Sequence, residues 1–215
     1  MEAEFPTTVT LRTFVRVRRA RPRTPLVIAL HGMGMTARTF ERWLEPAFAA
    51  GDQSWWIPQG ILPREEPERR VGHAWYVFDG DQERLKESMD AARAYLVGLT
   101  ELALRALQPT RVAILGFSQG AYLGSYLALS RPDLYGAVVC CCGRPKTEFV
   151  ADLGGARGVS VLVQTGAEDA AMPPEVLARG VEPLKAAGVP VTERAYPGGH
   201  RLTPEMAADA ARFLA

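Results

Sequence analysis

The sequence predicts an α/β fold in which a mainly parallel, twisted sheet carries helices on both faces. Three observations lead to this prediction. Short apolar runs alternate with stretches of helical periodicity along most of the 215-residue chain. Two of these runs, LVIAL at residues 26–30 and VAIL at residues 112–115, contain no polar residue and read as buried strands. Strands that alternate with helices form right-handed units, which produce a parallel sheet.

The first elements follow in a clear order. VTLRTFVRV at residues 9–17 alternates apolar and polar residues, so we expect a half-exposed strand there. LVIAL is the second strand, residues 36–50 are expected to form a helix, and residues 55–57 form a strand that Pro58 ends. Residues 60–80, rich in Pro, Glu and Arg, are expected to be the longest irregular connection, and connections of this length are often functional.

The second half of the chain repeats strand–helix pairs. Helices are expected at residues 83–107, 119–129, 174–187 and 204–214, and strands at residues 112–115, 137–141, 159–164 and 191–196. No repeat or linker divides the chain, so residues 1–215 are predicted to form one domain without a large cap domain.

Composition narrows the class of partner. The 25 basic and 24 acidic residues nearly cancel, so no net field attracts nucleic acid or an anionic membrane. No stretch approaches the roughly 20 apolar residues of a membrane span, and the acidic N-terminus does not resemble a signal peptide. The three cysteines are adjacent, at Cys140, Cys141 and Cys142, which excludes a disulfide framework and disfavours a metal site. We therefore expect a cytoplasmic protein; the sequence leaves its oligomeric state open.

One motif predicts a nucleophile. GFSQG at residues 116–120 matches the G-x-S-x-G nucleophile elbow, with Ser118 at its centre. A predicted buried strand enters the motif and a predicted helix leaves it, which is the context that this tight turn requires. The glycines two residues before and after Ser118 relieve steric crowding in the turn.

A serine nucleophile needs a base, and histidine suits this task near neutral pH. The chain has three histidines: His31, His73 and His200. In α/β hydrolases the chain order is nucleophile, acid, histidine, and His200 alone satisfies it. We expect His31 instead to stabilise its turn by hydrogen bonding.

The acid that orients the histidine should follow a strand between Ser118 and His200. TGAED at residues 165–169 leaves such a strand, and Asp169 is the preferred acid. Glu168 is the obvious rival, while Asp133 and Asp152 lie in the same interval but do not follow a strand.

The tetrahedral intermediate of acyl transfer needs two hydrogen-bond donors, usually backbone N–H groups. One is expected from Gln119, the residue after the nucleophile. The other should come from the glycine-containing loop after an early strand, which points to Met33 in LHGMG.

Together these segments resemble the phospholipase/carboxylesterase family of α/β hydrolases, which includes acyl-protein thioesterases. The resemblance is carried, in the family's order, by LHGMG at residues 30–34, GFSQG at 116–120, TGAED at 165–169 and YPGGH at 196–200, with HAWY at 73–76 beside them. It implies the α/β-hydrolase fold and an acyl-enzyme mechanism with Ser118, Asp169 and His200 as the triad and Met33 and Gln119 as oxyanion donors.

The function predicted from these residues is hydrolysis of small carboxylic esters or thioesters of short to medium acyl chains, without cofactor or metal. Four loop residues are candidates for lining the substrate pocket: Trp75, Tyr76, Phe78 and Met172. Two alternatives stay open at this point. One is a peptidase or perhydrolase on the same scaffold, and the other is a non-catalytic binding protein that keeps the fold.

Overall fold

A computed structural model describes residues 13–67 and 70–215. Its central sheet has seven strands in the order β1-β3-β2-β6-β7-β8-β9. Strand β1 pairs antiparallel with β3, and every other pair in the sheet is parallel. The strands are β1 (Val15–Arg18), β2 (Leu26–Leu30), β3 (Ser54–Pro58), β6 (Val112–Phe117), β7 (Ala137–Cys141), β8 (Ser160–Gly166) and β9 (Val191–Tyr196).

In the described part of the chain, six α-helices cover both faces of this sheet. They are α1 (Ala37–Trp43), α2 (Glu45–Ala50), α3 (Gln82–Leu107), α4 (Gln119–Ser130), α5 (Pro174–Ala186) and α6 (Pro204–Phe213). Buried side chains of α3, α4 and α5 form one core layer, and those of α1, α2 and α6 form the other. The inner strands β2, β6 and β7 are buried along their whole length, because each strand packs against helices on both sides. The predicted fold class is confirmed.

The parallel register brings the functional loops to one edge of the sheet. Leu30 at the end of β2 lies opposite Gly116, and Phe117 at the end of β6 lies opposite Cys141. The ends of β8 and β9 are likewise aligned through Gly166 and Tyr196. Since ligands in open α/β sheets bind beyond the carboxyl ends of the strands, this edge is where a site is expected.

The predicted helix at residues 36–50 is in fact two helices. It breaks at Leu44, between α1 and α2. Pro46 follows at the start of α2; it has no N–H to donate, and its ring would clash with the carbonyl group one turn earlier in a continuous helix. The first predicted strand is shorter than expected within the described residues, beginning at Val15, while residues 9–12 lie outside the described part of the chain.

The prediction that residues 60–80 are irregular is wrong. They contain an antiparallel hairpin of β4 (Leu62–Glu66) and β5 (Arg70–Ala74), which forms a separate two-stranded sheet. Several of its side chains are exposed, so the strands carry little of the apolar–polar alternation that marks a half-buried strand. The hairpin is joined to the main body through a bridge between Met35 and His73.

Two further features bear on the class of protein. Within residues 13–67 and 70–215 no additional cap domain covers the edge described above. None of the helices in this part of the chain is long and apolar enough to cross a membrane.

Candidate active site

Ser118 lies at a strained turn between β6 and α4. Its backbone has φ 51° and ψ −117°, in the positive-φ region that non-glycine residues rarely adopt. The Ser118 N–H donates to Cys141 O at 2.9 Å, which ties the turn to the neighbouring strand. Such strain persists only where the surrounding structure imposes it. The turn places the Ser118 hydroxyl at the N-terminus of α4, where the helix dipole provides partial positive charge.

The two glycines of the motif are required by close backbone contacts. A Cβ atom on Gly116 would lie 2.2 Å from Gly120 O, and one on Gly120 would lie 2.2 Å from Leu30 O. Both distances are far below van der Waals contact. The elbow therefore accepts no side chain at either position without a shift of the backbone.

Ser118, His200 and Asp169 lie in one hydrogen-bonded chain. His200 Nε2 is 2.9 Å from Ser118 Oγ, and His200 Nδ1 is 2.8 Å from Asp169 Oδ2. Asp169 and Ser118 lie 31 and 82 positions before His200 in sequence, and the three residues meet because β6, β8 and β9 end at the same edge. This is the geometry in which a base can accept a serine proton while a carboxylate fixes its tautomer.

Of the two neighbouring acids, Asp169 faces the histidine. Its side chain is buried, and Oδ1 accepts the Ala171 N–H at 2.9 Å while Oδ2 contacts His200. Glu168 is exposed, and its backbone N–H donates to Gly198 O. The loop geometry thus separates the preferred acid from its rival.

Two backbone N–H groups beside the elbow are available to a ligand. Neither Met33 N–H nor Gln119 N–H donates a hydrogen bond within the part of the chain that the structure describes. Gln119 is the first residue of α4, where N–H groups have no partner inside the helix. The loop of Met33 is held by a bond from Gly34 N to His73 O at 2.9 Å. Both N–H groups are thus available, and their role as oxyanion donors stays a prediction.

His31 is a buried structural residue. Its Nε2 accepts the Gly60 N–H at 3.0 Å, and its Nδ1 therefore carries the proton and donates to Gly32 O at 2.8 Å. Burial lowers its pKa from 6.5 to about 4, so the ring is neutral at ordinary pH. These contacts stabilise the loop that carries Met33.

This burial predicts acid-sensitive stability. Between pH 6.5 and 4 the unfolded chain takes up a proton at His31 and the folded chain does not, so the free energy of unfolding falls as the pH drops through this window. The contribution is fully present above pH 6.5. We expect a loss of about 2 kcal/mol between pH 7 and pH 4.5. Urea unfolding of wild type and of His31→Gln at both pH values measures it; an equal loss in the two proteins would contradict the assignment.

An apolar groove of about 580 Å³ leads away from Ser118. Tyr76 and Phe78 line it, as predicted for pocket residues, although their contact with substrate stays a prediction. Leu62, Pro63 and Tyr122 also line it and were not predicted. Tyr122 could have been found, since it lies one helical turn after Ser118. Leu62 and Pro63 belong to the hairpin, which the sequence pattern did not reveal.

Two predicted pocket residues lie elsewhere. Trp75 is completely buried, stacks on His31 at a ring-centroid distance of 4.9 Å and donates its indole N–H to His31 O at 2.8 Å. It supports the site from behind because its ring packs into the core. Met172 is buried beside a second cavity next to Asp169, with its sulfur 3.8 Å from the Tyr122 hydroxyl.

Cys142 lies beside the acid. One ligand atom each of Cys142, Asp169 and His200 lies within 4.8 Å of the others, a spacing that a metal ion could bridge. The facing atoms of His200 and Asp169 already bond each other, and burial raises the pKa of the Cys142 thiol to about 11. A neutral thiol is a poor metal ligand, so the arrangement fits a hydrogen-bonded triad better than a metal centre. All three cysteines are free and buried.

A sheet of mainly parallel strands in which a positive-φ serine joins a central strand to a helix is the α/β-hydrolase fold. The sequence profile of the phospholipase/carboxylesterase family matches residues 12–215, and the chain belongs to this family. It is therefore a hydrolase of the carboxylesterase/thioesterase type.

Solved structures agree with this fold. A carboxylesterase from Mesorhizobium loti superimposes with a TM-score of 0.79 at 24% identity, covering 97% of each chain. A carboxylesterase from Bacillus cereus gives 0.75 at 16% identity over 94% of this chain and 93% of that one. Acyl-protein thioesterase 2 from Zea mays gives 0.74 at 21% identity over 95% and 98%. Comparison of the sequence with curated proteins gives no significant match.

Proposed function

We propose that this hydrolase cleaves carboxylic esters or thioesters of short to medium acyl chains through an acyl-enzyme intermediate on Ser118. The observation that carries the proposal is the continuous hydrogen-bonded chain from Ser118 Oγ through His200 to the buried Asp169 carboxylate. Serine is a weak nucleophile by itself, and an adjacent, oriented base is what activates it.

The reaction follows from these contacts. His200 Nε2 takes the Ser118 proton as the oxygen attacks the carbonyl carbon, and the Asp169 carboxylate stabilises the imidazolium that forms. Negative charge develops on the carbonyl oxygen, and the free N–H groups of Met33 and Gln119 are available to donate hydrogen bonds to it. His200 then protonates the leaving alcohol or thiol. Water, activated by the same imidazole, hydrolyses the acyl-enzyme.

The shape of the groove is suited to binding an apolar acyl group of limited length. It begins at Ser118, and its wall includes Tyr76, Val77 and Phe78. Val77 and Phe78 are 61% and 56% exposed, so the groove is open along one side. An open apolar groove of about 580 Å³ suits a flexible chain of several carbons. The likeness to a maize acyl-protein thioesterase supports including thioesters among the substrates.

A substrate panel tests this proposal. We expect hydrolysis of 4-nitrophenyl esters and of acyl thioesters, with kcat/KM highest for chains between butyrate and octanoate. Peptide 4-nitroanilides should react at least about a hundredfold more slowly, because an amine is a poorer leaving group than an alcohol or a thiol. The rate of peroxide-dependent halogenation should also be at least about a hundredfold lower. Faster amide turnover would instead indicate a peptidase, and peroxide-dependent turnover a perhydrolase. Either result would overturn the assignment.

A further inference from the structure

Gln119 contacts two parts of the site at once. Its backbone N–H is free beside the elbow, while its side chain, on a residue only 9% exposed, reaches the segment after β5. Oε1 accepts the Trp75 N–H at 2.9 Å, and Nε2 donates to Tyr76 O at 2.9 Å. One primary amide thus satisfies an N–H and a C=O of consecutive residues 44 and 43 positions earlier in the chain.

The segment held in this way is the groove wall formed by residues 76–78. Val77 and Phe78 are mostly exposed, so their side chains are not held by core packing. Besides Gln119, the backbone is anchored through Val77 N–H, which donates to Ser88 Oγ at 3.0 Å, and through the buried Trp75 ring. The Tyr76 side chain packs against the core, whereas Val77 and Phe78 depend on the backbone contacts, of which the Gln119 pair is the one that reaches the nucleophile elbow.

The same contacts connect both candidate oxyanion donors. Gln119 carries one of them on its own backbone, and Trp75 bonds the carbonyl of His31, two residues before Met33. His73, two residues before Trp75, pairs with the loop of Met33. The wall and the two N–H groups consequently form one hydrogen-bonded unit.

We infer that the Gln119 side chain is a positioning residue that sets acyl-chain selectivity, by fixing the groove wall at residues 76–78 to the nucleophile elbow. The inference rests on the proposed esterase function. It assigns to the side chain a role separate from the backbone N–H, which any residue at this position would supply.

The amide chemistry allows a specific test, since substitutions at Gln119 leave the backbone donor in place. Gln119→Met keeps the side-chain length but loses both hydrogen bonds. Gln119→Glu keeps an acceptor for Trp75 N–H but turns a carboxylate oxygen toward Tyr76 O, which is repulsive. When that carboxyl group is protonated, it can donate to Tyr76 O and restore the pair. Burial should hold its pKa above the usual range for glutamate.

The first readout is kcat/KM for 4-nitrophenyl acetate and octanoate. Gln119→Met should lower the value for octanoate about tenfold, mainly through KM, as expected for two lost hydrogen bonds to the wall. The value for acetate should fall by less than about threefold, because the backbone N–H of residue 119 remains and the loop of Met33 keeps its own bond from Gly34 N to His73 O. Ser88→Ala, which removes the other polar anchor, should shift the ratio in the same direction by a smaller factor. Gln53→Met removes a buried amide that donates to Ala211 O, away from the groove, and should leave the ratio unchanged.

The second readout is the pH dependence of Gln119→Glu. Its octanoate kcat/KM relative to wild type should rise severalfold between pH 8 and pH 6 as the new carboxyl group takes up a proton. The other titratable groups around the groove do not produce this rise. Burial raises the pKa of Tyr76 and Tyr122, which stay neutral, and the Glu148 carboxylate raises the pKa of Arg144, which stays charged. Every other group at the site, Arg64 and His200 included, is present in both proteins, so its effect cancels in the ratio.

The outcomes separate the two proposals. A wild-type protein inactive on every ester would refute the proposed function. An active wild type whose variants lose acetate and octanoate activity equally would overturn the inference about Gln119, as would a flat pH ratio for Gln119→Glu. Should Gln119→Met fail to fold by circular dichroism, Ser88→Ala and the pH series of Gln119→Glu decide the question.

Discussion

Replacing Ser118 by alanine is expected to lower kcat for ester hydrolysis by about 10⁶-fold, since loss of the nucleophile removes the concerted action of the whole triad. The residual rate should come from binding and from the backbone donors alone. Initial rates on 4-nitrophenyl butyrate, measured with enough enzyme to detect residual turnover, give the factor. Wild type should also gain the mass of one fluorophosphonate adduct, which Ser118→Ala should not.

A second serine-to-alanine variant, at the far end of the helix that follows Ser118, provides the control. Ser130→Ala changes the last residue of the same helix, α4, and should keep both activity and labelling. Labelling of Ser118→Ala at the wild-type rate would mean that the nucleophile is a different residue. A wild type that neither labels nor hydrolyses esters would support a binding protein that retains the fold.

Replacing Asp169 by asparagine is expected to lower kcat by about 10⁴-fold. The reason is the tautomer of His200. Asp169 Oδ1 accepts the Ala171 N–H, and an asparagine oxygen can keep this bond, which turns its NH₂ group toward His200 Nδ1. That nitrogen must then accept, so the imidazole proton moves to Nε2 and the ring can no longer take the proton of Ser118.

Glu168→Gln is the matched control for this substitution, since it neutralises the adjacent acid, which is exposed. It should change kcat by less than about twofold, as surface charges remote from the reacting atoms contribute little. An Asp169→Asn enzyme near wild type beside an inactive Glu168→Gln enzyme would reverse the assignment of the acid. Equal, small effects of both would mean that no carboxylate orients the histidine.

The strands were predicted well because their signals are local. LVIAL and VAIL are short, entirely apolar and contain β-branched residues, which favours a strand covered on both faces, and both lie in the sheet as expected. Motif order then placed Ser118, Asp169 and His200 at one edge, because parallel strands must end together. The prediction of one domain over residues 1–215 stays a prediction, as do the roles of the site residues.

The misses arose where the deciding contact is distant in sequence. The β4–β5 hairpin is stabilised by its pairing and by the bridge to Met35 rather than by apolar alternation. Trp75 was expected in the pocket because it lies on a loop near the predicted site. Its burial against His31 depends on how the hairpin docks, which no pattern within the loop records.

By itself the sequence determined the α/β architecture and the strand–turn–helix elbow at Ser118, because periodicity and turn chemistry act between residues a few positions apart. The sequence favoured Asp169 over Glu168, but only the tertiary structure shows the Asp169 carboxylate against His200, which aromatic rings line the groove, and that the Gln119 amide joins the elbow to the wall. Those contacts form between backbone and side-chain groups that meet only after the sheet has brought distant loops to the same edge.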